Sequence, residues 1–356
     1  MVTSDPLYLL ENYQFHQCIG KACDAEANVY SARHVPSKQV YAVRIVPLEA
    51  DNCDFSQIQF EVHKLRNLSH PNLMDLCASF AKKSALFMVM PLMDYGSITD
   101  MMRARFMFGL PELLIAHVIR DVLNAVEYLH RRDIIHRGIR GSHILVSSSC
   151  VARLSGLRHC TSAIRRFRRG KSVHEIDSNM SNGLLWLAPE ILQQDLRGYS
   201  YKSDTYSIGI TVCEMANGFP PFADMQHMQM LYEKLRGTTP RLLDITTLPP
   251  DEQTHIEQRK RSFSTSFHEF ADCCLKGDTN ERASISDLLD HAFLRQTKKT
   301  RQNWGNTLSA IKPISVPSLS KNYKCPEAIL SMIDSKIGLN QEARRAHESE
   351  AGLWAF

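Results

Sequence analysis

The stretch LHRRDIIHRGIRGSHILV, residues 129–146, brings His136, Arg137, Arg140 and His143 into one short loop that closes on apolar Ile144 and Leu145. His136 and Arg137 read as architectural, while the guanidinium fork of Arg140 could meet phosphate oxygens. Proton abstraction is another matter. Gly138 sits in the middle of the loop and has no side chain, so it cannot act as a base. His143 offers an imidazole, whereas Mg²⁺ prefers oxygen ligands, so it reads as a packed or hydrogen-bonding histidine and not as a metal ligand. Thirteen residues further on stands Gly156, in RLSGLRHC, followed by Leu157 and the cation Arg158. Upstream, YAVRIV presents Arg44, and Glu61 follows on the next helical run, well placed to pair with it. That pair reads either as a purely structural tie or as one that also touches a nucleotide. Arg44, Arg140 and Arg158 together could offset phosphate charge without a metal, and no metal-ligand set is expected.

These residues need elements to position them. YQFHQCIG, ANVYSARH, QVYAVRIVPL and ALFMVMPL are β-branched or aromatic runs broken by turn residues, and they read as strands. FSQIQFEVHKLRNLS places Ile58, Val62 and Leu65 at helical spacing, with Pro71 as a stop. With these four runs and the helix, the first ~90 residues are expected to form a small five-stranded lobe with one helix. From about residue 95 the chain turns helical: Leu114, Val118, Val122 and Val126 recur at intervals of four, and KSDTYSIGITVCEMANG and ISDLLDHAFLR follow. The fold class expected is α+β, with a small five-stranded lobe, a large mainly helical lobe and a cleft between them. Residues 246–266 are polar and read as a loop insertion. Beyond residue 297 the pattern weakens into a flexible tail, with a short helix possible over PEAILSMIDSKIG.

The whole resembles a protein kinase over residues 13–296. Residues 136–143 stand where a kinase catalytic loop reads His-Arg-Asp-Leu-x-x-x-x-Asn. LAPE ends at Glu190, KSDTYSIG matches a large-lobe signature, and Arg282 stands where kinases place the arginine that pairs with the Glu of Ala-Pro-Glu. By this resemblance Gly138 replaces the catalytic base, and His143 and Gly156 replace the two metal ligands. Arg44 replaces the lysine of Val-Ala-Ile-Lys, and Arg140 another lysine. Loss of a general base costs a factor of about 10² to 10⁴, and loss of metal neutralisation several kcal/mol more. Phosphoryl transfer is not expected, and the set of catalytic residues is empty. The phosphate loop is also altered: IGKACDAEANVYSARH keeps Gly20 and Val29 but is two residues longer than usual and carries Asp24 and Glu26. It reads as an ordinary turn. An adenine slot would be walled by Ile19, Val29, Ala42 and Met90, with Leu92 and Met93 as hinge, and the expectation is ATP bound without magnesium. The domains expected are an N-terminal extension over 1–12, a pseudokinase domain with small lobe 13–92 and large lobe 93–296, and the tail 297–356.

The resemblance narrows further. PLMDYGSITDMM, HRGIRGSHILV, LSGLR, WLAPEIL, QDLRGYSYKSDTYSIGITVCEMANG and PFADMQHMQMLYEKLRGTTPRLLD are similar to the sterile-20-related adaptor (STRAD) pseudokinases, in which His also stands where active kinases have Asn. The resemblance implies an inactive adaptor that binds and allosterically activates a liver-type tumour-suppressor Ser/Thr kinase of the polarity and energy-sensing pathway. It implies a heterotrimer with an armadillo/HEAT-like scaffold of the calcium-binding-protein-39 type, retention of the kinase in the cytoplasm, and a cytoplasmic and nuclear location. Binding can shift the partner only through a preference for its active state. RRFRRGK, residues 165–171, is either a solvated basic loop or a contact with an acidic patch on the partner. The family's tail motif Trp-Glu-Phe reads Trp354-Ala355-Phe356 here. Trp354 and Phe356 remain as scaffold anchors, while Ala355 removes one charge.

Two other readings stay open: an atypical active Ser/Thr kinase that uses Asp133 or Asp177, and a nucleotide-sensing scaffold for different partners. Composition narrows the field further. A net charge of +4 over 356 residues is too mild to argue for nucleic-acid binding. The N-terminus lacks a secretory pattern, and no apolar run is long enough to span a membrane. The ten cysteines form no CxxC pair and read as reduced thiols.

Overall fold

Strand pairing in the first part of the chain follows the β-branched runs. β1 (Tyr13–Ala22), β2 (Ala27–His34), β3 (Val40–Pro47), β4 (Ala78–Lys82) and β5 (Ala85–Pro91) form an antiparallel sheet in the order β1-β2-β3-β5-β4. The computed structural model describes residues 6–22, 27–49, 54–162, 183–193, 198–249, 254–298, 308, 313, 324–332 and 335. Val29 pairs with Arg44, Arg44 with Met88, and Ala42 with Met90. Residues directly opposite each other share a face of the pleat. One face therefore carries Tyr30, Val43, Ile45, Phe87 and Val89 into a buried cluster with Phe15 and Ala32. The other carries Val29, Ala42, Arg44 and Met90. β4, with the sequence ASFAK, is the strand that no β-branched run announces.

Helix α1 (Phe55–Asn67) starts at Asp54, whose side chain accepts the Gln57 N–H at 3.1 Å. It buries Ile58, Glu61 and Leu65. The carboxylate thus takes an inward position, and the expected apolar Val62 is only half-buried. The reason is Arg44, which Glu61 meets across the gap to β3.

The chain divides into two units. One holds the sheet, α1 and the stretch from Ile314 onward, and the other holds Ser69–Met74 and Met93–Pro313. The expected boundary at residue 92 therefore leaves out a short excursion. Met74 N–H bonds the Leu154 carbonyl at 2.9 Å, and Asn72 Nδ2 bonds the Ala152 carbonyl at 3.1 Å, which ties 69–74 to the helical unit.

That unit contains α2 (Ile98–Arg105), α3 (Glu112–His130), α4 (Pro189–Leu192), α5 (Lys202–Asn217), α6 (His227–Arg236), α7 (Ile256–Arg259), α8 (Thr265–Leu275) and α9 (Ile285–Leu289). Two short strand pairs join them: β6 (Ile134–Ile135) with β9 (Thr161–Ser162), and β7 (Ile144–Val146) with β8 (Ala152–Leu154). All four period-four residues of α3 are buried. In α5 every residue from Ser203 to Asn217 is buried, so it is a core helix wrapped on all sides. Among the described residues no helix is long and apolar enough to cross a membrane.

Two expectations need correction. The polar segment 246–266 is not a plain loop. It contains α7 and, in Ser264, the N-cap of α8, and buried Asp244 organises it by accepting the N–H groups of Thr246 and Phe263 at 2.8 Å each. The tail is not free along its length either. Lys324 exchanges two backbone hydrogen bonds with Phe15 on the edge strand β1, at 2.7 and 3.3 Å. Residues 326–332 are helical, and Ile329 and Leu330 join the buried cluster of the sheet. An edge strand offers unpaired N–H and C=O groups, and an apolar helix face supplies the rest. The N-terminal extension docks as well: Leu10 is buried in the same cluster, and Tyr13 donates to the Leu7 carbonyl at 2.7 Å.

Replacement of buried Ile329 by Ala should therefore destabilise the sheet unit by about 2–5 kcal/mol, read as a shift of its unfolding transition in urea. A transition left in place would show that the tail does not belong to this core.

Candidate functional site

The loop 136–143 is built on one carboxylate. Asp204, in the first turn of α5, has no exposed surface. It accepts the His136 N–H at 2.8 Å and the Arg137 N–H at 2.9 Å, and His130 Nε2 lies 2.8 Å away. Burial by itself would raise its pKa, but His130 and the N–H donors reverse this and hold it below the ordinary range. His136 is wholly buried, with Nε2 donating to the Ser155 carbonyl at 3.0 Å and Nδ1 accepting the Gly138 N–H at 3.1 Å. It is a neutral imidazole, because burial pushes its pKa down to about 4. Arg137 adopts φ 62 and donates to the Tyr199 hydroxyl at 3.0 Å and to the His159 carbonyl. Its charge is spent on architecture. The frame closes where buried Arg282 grips Glu190 bidentately, at 2.6 and 3.1 Å.

At the head of the loop three positions converge on one ring. His143 donates from Nδ1 to the Gly138 carbonyl at 2.7 Å, and Arg140 Nη2 donates to its Nε2 at 2.9 Å. Both ring nitrogens are engaged. A Cβ added at Gly156 would stand 2.5 Å from His143 Nδ1 and 2.9 Å from Cε1, and one at Gly138 would stand 3.5 Å from Nδ1. Gly156 itself adopts φ 85. The ring of residue 143 thus fills the room that a side chain at residue 156 would need. Arg140, in this loop, and Arg158 are both buried. Cations and an imidazole gather here, and no carboxylate joins them from 138, 143 or 156.

The neighbouring acids are otherwise occupied. Glu214 of α5 accepts from Gly141 N–H, Trp186 Nε1 and Thr99 at 3.1, 2.9 and 3.3 Å. Burial raises its pKa, with Arg140 among the opposing groups. Its isolation in the apolar run GITVCEMANG was the available sign, and the sequence reading missed it. Asp133, the alternative base, accepts the Tyr201 hydroxyl at 2.7 Å. Among the described residues no three His, Cys, Asp or Glu side chains are placed to hold a metal.

The sheet unit contributes the other candidates. Arg44 Nη1 and Glu61 Oε1 are 2.8 Å apart, while Arg44 Nε and Glu61 Oε2 are buried with no hydrogen-bond partner among the described residues. Val29, Ala42, Arg44 and Met90 share one face. Ile19 is half-buried, and a Cβ at Gly20 would meet nothing within 4 Å. No close neighbour in this unit requires glycine there. Leu92 is half-buried at the end of the sheet unit, and Met93 is buried in the helical one. Asp24, Glu26, residues 165–171, Asp177, Trp354, Ala355 and Phe356 lie outside the described residues.

A family model described as "Protein kinase domain" matches residues 13–294. STE20-related kinase adapter protein alpha of Mus musculus is 38% identical over 316 residues, covering 81% of this chain and 73% of that protein. The Gallus gallus relative of the same name is 39% identical over 316 residues, covering 81% of each. STE20-related kinase adapter protein beta of Homo sapiens is 33% identical over 344 residues, covering 87% of this chain and 81% of that protein.

Two tests follow from the packing. Gly156→Asp should lower the melting temperature because of the His143 ring, and His143→Asn should relieve it, with a coupling of about 0.5–3 kcal/mol in the cycle. Equal cost on either background would remove the steric link. The second test is of pH. His136 binds its proton near pH 4 in the fold but at its ordinary 6.5 when unfolded. The unfolded chain therefore takes up the proton first, and stability falls as pH drops through that window. Urea denaturation across it should show a shallower fall for His136→Gln than for wild type. Parallel slopes would place the titration elsewhere.

Proposed function

From a chain that belongs to the protein kinase domain family, and within it to the STE20-related kinase adapter proteins, we propose a non-catalytic adaptor that binds a partner Ser/Thr kinase and activates it allosterically. The observation that carries this reading is the His143 ring lodged where a residue-156 side chain would lie. A carboxylate restored there alone would have to displace the ring. With Gly138 unable to take a proton and no oxygen ligand at 143 or 156, neither the base nor the metal ligands of a phosphotransferase stand at these positions. The framework around Asp204 and the Arg282–Glu190 pair is kept, which suits a fold retained for its shape.

Nucleotide binding fits as a separate property. Arg44 Nε is a buried donor with no acceptor among the described residues, and a phosphate oxygen would satisfy it. In the proposed ATP complex, Arg44, Arg140 and Arg158 offset the phosphate charge in place of magnesium. Val29, Ala42 and Met90 supply apolar walls for the adenine, with Ile19 and Gly20 beside them. The partner is the liver-type tumour-suppressor kinase, and the third member is an armadillo/HEAT-like scaffold of the calcium-binding-protein-39 type, anchored by Trp354 and Phe356. The protein is cytoplasmic and nuclear, and the assembly promotes cytoplasmic retention of the partner kinase.

The purified protein with labelled Mg²⁺-ATP should incorporate no phosphate and transfer none. It should gain thermal stability with millimolar ATP in the absence of metal. It should capture the liver-type kinase, more so with the scaffold present, and raise that kinase's activity. Phosphate transfer by the protein would overturn the adaptor reading, and absence of capture would overturn the choice of partner.

A further inference from the structure

Helix α3 buries every residue from Leu114 to Ile119, and Val122 and Leu123 after them. Arg120 stands half-buried between the two groups. Its guanidinium is fixed, because Nη1 donates to Thr297 Oγ1 at 2.5 Å and Thr297 is itself buried. Thr297 belongs to the 3-10 helix Ala292–Lys298, which also carries Arg295 and Lys298. Side chains three positions apart in a 3-10 helix eclipse each other, so those two cations share one face of it. Arg120, Arg295 and Lys298 line a cavity of about 310 Å³ together with Leu289, Leu294 and Asp290. Leu294 is buried and Leu289 half-buried. Among the described residues no ion pair joins any of the three cations to a carboxylate. Like charges on adjacent turns repel, and a half-buried guanidinium with one uncharged acceptor is only partly compensated. Local rules broken in this way mark places where a ligand supplies the compensation.

We propose that this cavity binds a small phosphate monoester. Three cations and one carboxylate leave an excess of two positive charges in its lining. A phosphate monoester carries about −1.5 to −2 near pH 7 and matches that excess. Guanidinium forks pair with phosphate oxygens, and a lysine adds a point charge. Thr297 is the one hydrogen-bond partner of Arg120 among the described residues, which leaves most of its N–H donors for a ligand. Leu289 and Leu294 give the organic body an apolar wall, and Asp290 suits a hydroxyl on that body. Ligand cavities run from about 300 to 1,000 Å³, so this one is sized for a single phosphate on a short polyol. The site lies wholly within the helical unit. It shares no residue with the nucleotide reading and does not depend on the adaptor reading.

Isothermal titration of the full chain with glycerol 3-phosphate, in chloride buffer at constant ionic strength, reads the affinity. A Kd of about 1 mM or below is expected, and no binding heat would overturn the site. Arg295 and Lys298 are exposed, so the double variant Arg295→Ser/Lys298→Ser should keep the fold and weaken binding by about tenfold or more. Asp290→Asn should tighten it by about two- to fivefold. A merely structural cluster would move neither value, and unchanged affinity in the double variant would overturn the proposal. Inorganic phosphate should bind about tenfold more weakly than the ester, whereas equal affinity would overturn the monoester as occupant. Thermal stabilisation by ATP should be the same in the double variant as in wild type. Joint loss of both responses would place the phosphate in the nucleotide site and overturn a separate cavity. If the double variant does not fold, Asp290→Asn decides.

Discussion

The Asp204 carboxylate sits inside a helix with no exposed face, and the loop of interest hangs from it. A buried charge of this kind is tolerated only when its lone pairs are used. Here the backbone N–H groups of His136 and Arg137, together with His130, use them. Anchored at that end, the chain can only run past Gly138 and turn back at the short 3-10 turn Gly141–His143. His143 then meets Gly156 because both flanks are tied down: Ser155 donates its N–H and its hydroxyl to the His143 carbonyl at 2.8 and 3.0 Å. Without Asp204 neither the ring position nor the arginine beside it would be determined.

The residues at 138, 143 and 156 consequently form one packing arrangement. A glycine at 156 makes room for an imidazole at 143, and that imidazole borrows the Gly138 carbonyl and an arginine as its hydrogen-bond partners. The left-handed conformation at Gly156 is easy for glycine, and the crowding by the ring is what excludes a larger residue. Arg44 and Glu61 show the same economy in the sheet unit. The Arg44 guanidinium is held by a carboxylate turned inward on α1. Lys234 of α6 follows the same rule, since its buried amine donates to the carbonyls of Leu184, Leu185 and Leu187.

Much of this was legible in residue order. Strand runs, the period-four face of α3 and the identities at 44, 138, 143 and 156 depend on local chemistry, as does the pairing of Arg282 with Glu190 once the motif is seen. Where the reading failed, the cause was contact between parts distant in the chain. Lys324 is 309 positions from Phe15 in the sequence, so a polar stretch that looked free docks on a strand edge. The 246–266 segment looked like an insertion because the organiser, Asp244, lies just outside it. Glu61 displaced Val62 from the inward position because its partner is on another element.

By itself the sequence determined which side chains exist at each position, and hence that no carboxylate stands at 138, 143 or 156. It also marked four of the five sheet strands and the main helices, because periodicity and turn residues act over a few positions. Tertiary structure alone decided that the His143 ring fills the space at Gly156, that Lys234 points inward while Met228 and Tyr232 point out, and that residues 324–332 complete the sheet's core. Each of these turns on which faces meet. That choice is made by the summed burial and hydrogen bonding of groups far apart in the chain, which no local pattern encodes.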